Sequence, residues 1–313
     1  MNADDFLPRL ESLVRGDGTR FTHFIPRFED VAVVDGTTTT VSTHFLAHDA
    51  NGAPAVTLLA EAMAAAAIDF CIPRDRIQAA AAEQARTGSA TAFAELASQT
   101  RELFVRANTT GEGGELLLFL LMEQLLGLPQ ILSKMSLKTN SQMHVHGSDG
   151  IHAALAGDGI LDVYWGESKL YSNSSEAFRD CFESIAPFLA TDGDEARKRD
   201  LLLVRDHLNV DEVELAARLL EYFDPSDPKR LNVRWNGVCL VGFDRSSYPN
   251  VPLLKDEELA TLRAAVTRWQ NTVKSRVEQH SLQAVRVDLY CLPVPSVEDL
   301  RGQVLKALGV KND

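Results

Sequence analysis

Four side chains in the middle of the chain have the types and spacing to cut a phosphodiester: Glu115, Asp149, Glu167 and Lys169. Glu167 and Lys169 carry the most weight. Residues two apart on a strand project from the same face, roughly 6–7 Å apart along the backbone. A carboxylate and an ammonium held side by side on a sheet can bind a divalent cation and place a water next to it. Asp149, in the segment His146-Gly147-Ser148-Asp149-Gly150-Ile151-His152, and Glu115, at the start of an apolar helix, offer further hard oxygen ligands for such a cation.

Each of these has a plainer explanation. Glu and Lys two apart on a strand are usually a solvated pair of small energetic weight. A glutamate at a helix start, as at Glu115, is favoured simply by the helix dipole. The surroundings argue for more at Glu167 and Lys169. Val163 to Leu170 is apolar enough for a central strand, where charged side chains seldom sit without a role.

The elements that must position these groups follow from the pattern. A helix starting at about Glu115 is apolar through Leu126 and ends at Gly127-Leu128-Pro129. Three strand-like pieces come next, over 131–138, 148–155 and 161–171, with Gly157-Asp158-Gly159 turning the last two into a hairpin. Ser174 and Ser175 then cap a helix to about Leu189. Before this region, Asp35-Gly36 separates two β-branched runs as a hairpin. Alanine-rich helices follow over 58–67, 77–85 and 90–106. After it, helices are expected over 195–207, 212–222 and 256–280, and buried strands over 237–243 and 284–292.

Composition bounds the rest. The chain has 313 residues, 45% hydrophobic and 24% charged, as in an ordinary globular protein. The longest apolar run, Leu116 to Met122, is too short to span a bilayer, and the acidic start, Met1 to Asp5, is unlike a signal peptide. Cys71, Cys181, Cys239 and Cys291 are far apart and read as small buried hydrophobes. These features point to the cytoplasm. A formal charge of −13 argues against tight autonomous binding of DNA.

The order helix, strand, strand, strand, helix, with Glu115, Asp149, Glu167 and Lys169 placed along it, resembles the PD-(D/E)XK nuclease superfamily. The flanks, Gly113-Gly114-Glu115-Leu116, the segment around Asp149, and Gly166-Glu167-Ser168-Lys169-Leu170-Tyr171, are similar to the HamA family. That family is the nuclease-like subunit of the bacterial Hachiman anti-phage system and also resembles AbpA of the AbpAB system. The resemblance implies an α/β fold with a restriction-endonuclease-like core, a mixed sheet flanked by helices. It implies DNA as substrate, Mg²⁺ or Mn²⁺ as cofactor, and a helicase partner, HamB, that holds the DNA and gates the cut. The ligands would be Asp149, Glu167 and the Ser168 carbonyl, with Glu115 assisting, and Lys169 would steady the attacking water. Ser148 stands where the superfamily motif has proline. The expected division is an N-terminal α+β segment, 1–105, packed on a core with C-terminal helices, 106–313. Within it the nuclease fold proper ends near 245.

Further residues are candidates on their own pattern. Lys134 and Lys138, four apart on the first core strand, share a face and could contact phosphates, or could be ordinary edge charges. His144, His146 and His152 with Asp149 could be read as a zinc cluster, although the spacing matches no common hydrolase signature. The preferred reading puts one of them, His152, in the nuclease cleft. Trp165 and Tyr171 could stack on bases, but packing suffices to explain them. The glycines at 111–114 lack the lysine of a P-loop. A rival of another class is a catalytically silent subunit that restrains a helicase. For a partner surface, the strand over 284–292 and the acidic helix over 212–221 are the candidates.

Overall fold

Runs of apolar residues on both alternating faces build β5 (Leu161–Tyr171) and β6 (Val233–Asp244), at the centre of a seven-stranded sheet. The computed structural model describes residues 3–16, 19–107, 111–137, 147–156, 158–191, 193–250 and 254–310. The sheet order is β1-β2-β7-β6-β5-β4-β3. Here β1 is Arg27–Val33, β2 Thr40–His44, β3 Gln130–Leu132, β4 Gly150–Leu155 and β7 Val287–Val294. Strands β2, β7, β6 and β5 are parallel, while β1, β4 and β3 pair antiparallel with their neighbours.

Parallel neighbours need crossovers, and helices supply them. Leu161, Val163 and Trp165 of β5, with Cys239 and Val241 of β6, pack under α8 (Ser174–Leu189) and α11 (Asp256–Gln279). The same core takes in α1 (Ala3–Glu11), α9 (Asp194–Asp206) and α10 (Val213–Phe223). Tyr164, Leu170, Val238 and Leu240 face the other way, toward α3 (Val56–Cys71), α5 (Thr91–Ala107), α6 (Glu112–Leu120) and α12 (Val297–Ala307). The short α2 (Thr19–Thr22) and α4 (Arg74–Thr87) complete that side. The outcome is a mixed α/β architecture with one sheet between two helical layers. No single helix among the described residues is long and apolar enough to cross a membrane.

The expected elements are present, with four corrections. The first core strand ends at Leu132, and Lys134–Leu137 form a helical turn, α7. Here side-chain bonding overrides the apolar run: Ser133 donates to Phe70 O on α3, and Lys134 turns inward to Ser148 and Asp200. The helix expected from Glu115 starts at Glu112, and past Leu120 it continues as a π-helical segment, Leu121–Leu125. Buried Glu123 explains the widened turn, since its carboxylate accepts from the backbone N–H groups of Arg15 and Gln130. The cap of α8 is Asn173 rather than the two serines, its Oδ1 accepting from Ser175 N and Glu176 N. Lastly, the strand expected over 284–292 is β7, which is buried throughout and lies between β2 and β6. It presents no surface to a partner.

Candidate active site

The site forms where β5 outruns β4. Gly150 of β4 pairs with Gly166, and the N–H of Asp149 still donates to Gly166 O at 2.8 Å. Continued by one residue, that register sets Asp149 opposite Glu167. Beyond it β5 runs on to Tyr171 with β4 no longer alongside. The Asp149 carboxylate takes the vacated place in the ladder: Oδ2 accepts from Ser168 N at 2.8 Å and from Ser168 Oγ at 2.7 Å.

Glu167 and Lys169 share the face of β5 that Trp165 fills, toward α8, as the two-residue period predicts. Glu167 is only 3% exposed. Lys169 Nζ donates to its Oε1 at 2.6 Å, Ser184 of α8 hydrogen-bonds the carboxylate, and Cys181 Sγ donates to its backbone carbonyl at 3.7 Å. Burial, and then the negative charge of Asp149, raise the Glu167 carboxyl to about 8 against the pull of Lys169. Burial works against the Lys169 ammonium too, but Glu167 and Asp149 outweigh it and hold it above the ordinary lysine range. Lys169 therefore keeps its proton, and Glu167 holds a proton more tightly than an ordinary carboxyl.

A second layer fixes Asp149. Lys134 Nζ donates to Ser148 O at 2.6 Å and to Asp200 Oδ2 of α9 at 2.8 Å, with both side chains buried. Ser148 Oγ also donates to Asp200, at 3.2 Å. Gly147 lies so close to this pair that a Cβ there would stand 2.5 Å from Asp200 Oδ1, and its φ of +144° suits glycine alone. On the other face Gly114 lets α6 approach β5, since a Cβ would lie 3.0 Å from Ser168 Oγ.

The structure thus brings Asp149, Glu167 and Lys169 together. Glu115 lies in the first turn of α6, its Oε1 3.7 Å from where a Gly111 Cβ would be. Among the described residues no three His, Cys, Asp or Glu side chains converge as a metal-holding group. Two expected nucleic-acid contacts are corrected. Lys134 is a buried ion-pair partner, not a surface cation. His152 is a core histidine: its Nδ1 bonds Leu128 O at 2.7 Å, its ring lies against Phe119, and burial pushes its pKa down to about 3. Among the described residues it joins no metal-holding group. Lys138, His144 and His146 lie outside the described residues. Trp165 is wholly buried, as packing required. Three contributors carried no local signal in the sequence: the Ser168 hydroxyl, Asp200, and Arg301 of α12, which donates to Leu170 O at 2.5 Å.

A search of the curated proteins finds no match. The family model HamA matches residues 22–308, almost the whole chain. The chain belongs to the HamA family, and so to the components of the Hachiman anti-phage defence system.

Proposed function

We propose that this chain is a metal-dependent nuclease of the PD-(D/E)XK type, hydrolysing DNA under the control of a helicase partner, a HamB-like protein. One observation carries the reading: Asp149, one residue before β4, falls opposite Glu167 of β5 when the Gly150–Gly166 register is continued, and Lys169 is bonded to Glu167. The succession α6, β3, β4, β5, α8, with the short α7 between β3 and β4, supports the layout that the superfamily resemblance implies.

The residues present fit Mg²⁺ or Mn²⁺. Burial, and then the negative charge of Asp149, raise the proton affinity of Glu167, and a cation between the two carboxylates would relieve the second of these. Ser168 N and Gly166 O both engage Asp149, so the Ser168 carbonyl is directed to the same edge of β5 and can add a third oxygen. Two carboxylates suffice, because Mg²⁺ keeps several waters and takes other ligands from substrate phosphates. Such an ion supplies Lewis-acid polarisation of the phosphate and charge neutralisation at the leaving oxygen. Asp149 and Glu167 hold it, the Ser168 bonds keep Asp149 in register, and Lys169 holds a positive charge beside the attacked phosphate. The net charge of −13 fits a division of labour in which the partner grips the DNA.

One observation favours a second reading. Asp149 already has a structural task, capping Ser168, so a silent subunit that restrains a helicase would also keep it. Cleavage of plasmid and linear DNA with Mg²⁺ or Mn²⁺ separates the two, for wild type, Glu167→Gln and Lys169→Met, with and without the helicase. The nuclease reading expects cutting by wild type and a loss of about 100-fold or more in both variants. Equal cutting by the variants, or none by wild type in any condition, leaves the regulatory reading.

A further inference from the structure

Beside the acidic pair stands the guanidinium of Arg301. A cavity of about 130 Å³ opens along the edge of β5 that β4 vacates, between the start of α6 and α12. Gly111, Gly114, Ser168, Lys169 and Arg301 line it, and among the described residues no carboxylate side chain does. In a chain of net charge −13 that is an unusual lining. Arg301 reaches it from a helix more than a hundred residues later in the sequence, while the Lys169 ammonium is turned to Glu167 on the α8 face of β5.

Arg301 is incompletely bonded for a guanidinium in this position. Its Nη2 donates to Leu170 O, and Nη1 lies 3.9 Å from exposed Glu298. Its Nε is buried and has no hydrogen-bond partner among the described residues. A buried donor left unpaired costs free energy unless a ligand completes it. The backbone bond to Leu170 also orients the planar fork, which favours two-pronged recognition of an oxyanion.

We propose that Arg301 grips a backbone phosphate of duplex DNA in this cavity, next to the bond that is cut. The proposal rests on the nuclease reading and deepens it. The Ser168 backbone joins the two halves: its N–H and hydroxyl engage Asp149, and its side reaches the cavity. One residue thus links the acids proposed to hold the metal with the cation proposed to receive the substrate. Arg301 acts on substrate binding and not on metal binding.

The test is the affinity of the full chain for a labelled DNA duplex, with Ca²⁺ as the only divalent ion, over a range of salt concentrations. Mn²⁺ affinity is read separately without DNA. Arg301→Gln is expected to bind the duplex about tenfold more weakly and to reduce the slope of log K against log salt by about 0.9, the value for one lost phosphate contact. Its Mn²⁺ affinity is expected to match wild type. An unchanged slope and affinity would overturn the proposal and leave Arg301 as a cap for Leu170 O. If Arg301→Gln does not fold, Arg301→Lys decides: charge without the fork keeps the slope but weakens binding severalfold, and undiminished affinity counts against the proposal. Wild type that binds no duplex at any salt overturns this proposal and the substrate reading together, whereas loss of the slope effect alone overturns only the former.

Discussion

Asp149 and Ser168 are joined twice, through the backbone N–H at 2.8 Å and the hydroxyl at 2.7 Å, both to the same carboxylate oxygen. A side chain just outside β4 thereby completes the edge of β5, and its carboxylate is locked in register with Glu167. Charge-assisted bonds of this kind are stronger than neutral ones. Asp149→Asn keeps the shape and loses the charge, so it is expected to fold and to lose Mn²⁺ binding. Ser168→Ala removes the hydroxyl bond alone and is expected to cost about 1 kcal/mol in urea unfolding. A Mn²⁺ titration of Asp149→Asn that matches wild type would remove Asp149 from the metal site.

Glu167 gives the metal site a pH dependence. With its carboxyl at about 8, an incoming cation must displace one proton at neutral pH. Mn²⁺ affinity is expected to rise about tenfold per pH unit up to about 8 and then level off, and Glu167→Gln is expected to flatten the profile. The sign for stability is opposite. The folded value lies above the ordinary 4.5, so the favourable contribution of the neutral carboxyl is complete below about 4.5 and lost as pH rises through about 8. Metal-free wild type is therefore expected to become less stable over that window, and Glu167→Gln to lose this part of the slope. A metal affinity independent of pH between 6 and 8 contradicts the assignment.

Glu167 and Lys169 were legible in the sequence because strand period is local: Val163, Trp165, Glu167 and Lys169 alternate with Tyr164, Gly166 and Ser168 on a run too apolar for an edge. The long helices α8, α10 and α11 were legible for the same reason. What escaped depends on partners far away in the chain. Lys134 reads as a strand lysine until Asp200 of α9 draws it inward, and the apolar run over 131–138 gives way to α7. His152 reads as a ligand until Leu128 O and Phe119 enclose it. Arg301 lies in an ordinary amphipathic helix, and only the packing of α12 beside β5 brings it to Leu170. Position along the sheet was equally hidden, since nothing near 287–294 announces that β7 inserts between β2 and β6.

The Lys134–Asp200 pair carries the last prediction. Both side chains are buried, at 5% and 1% exposure, and they bond to each other and to Ser148, the residue before Asp149. Removing one partner leaves the other charge buried without its counterion, at a cost of about 3–5 kcal/mol, whereas replacing both with apolar groups costs far less. Lys134→Met and Asp200→Leu are each expected to lower stability strongly in urea, and the double variant by much less than their sum. Additive losses would show that the two charges do not compensate each other. The double variant also isolates the role of the clamp: it should fold, yet Ser148 O has lost its donor and Ser148 Oγ its Asp200 acceptor. Weaker Mn²⁺ binding by this folded variant, with Glu167 and Lys169 untouched, is the outcome expected if the pair sets the position of the acid and not merely the stability of the core.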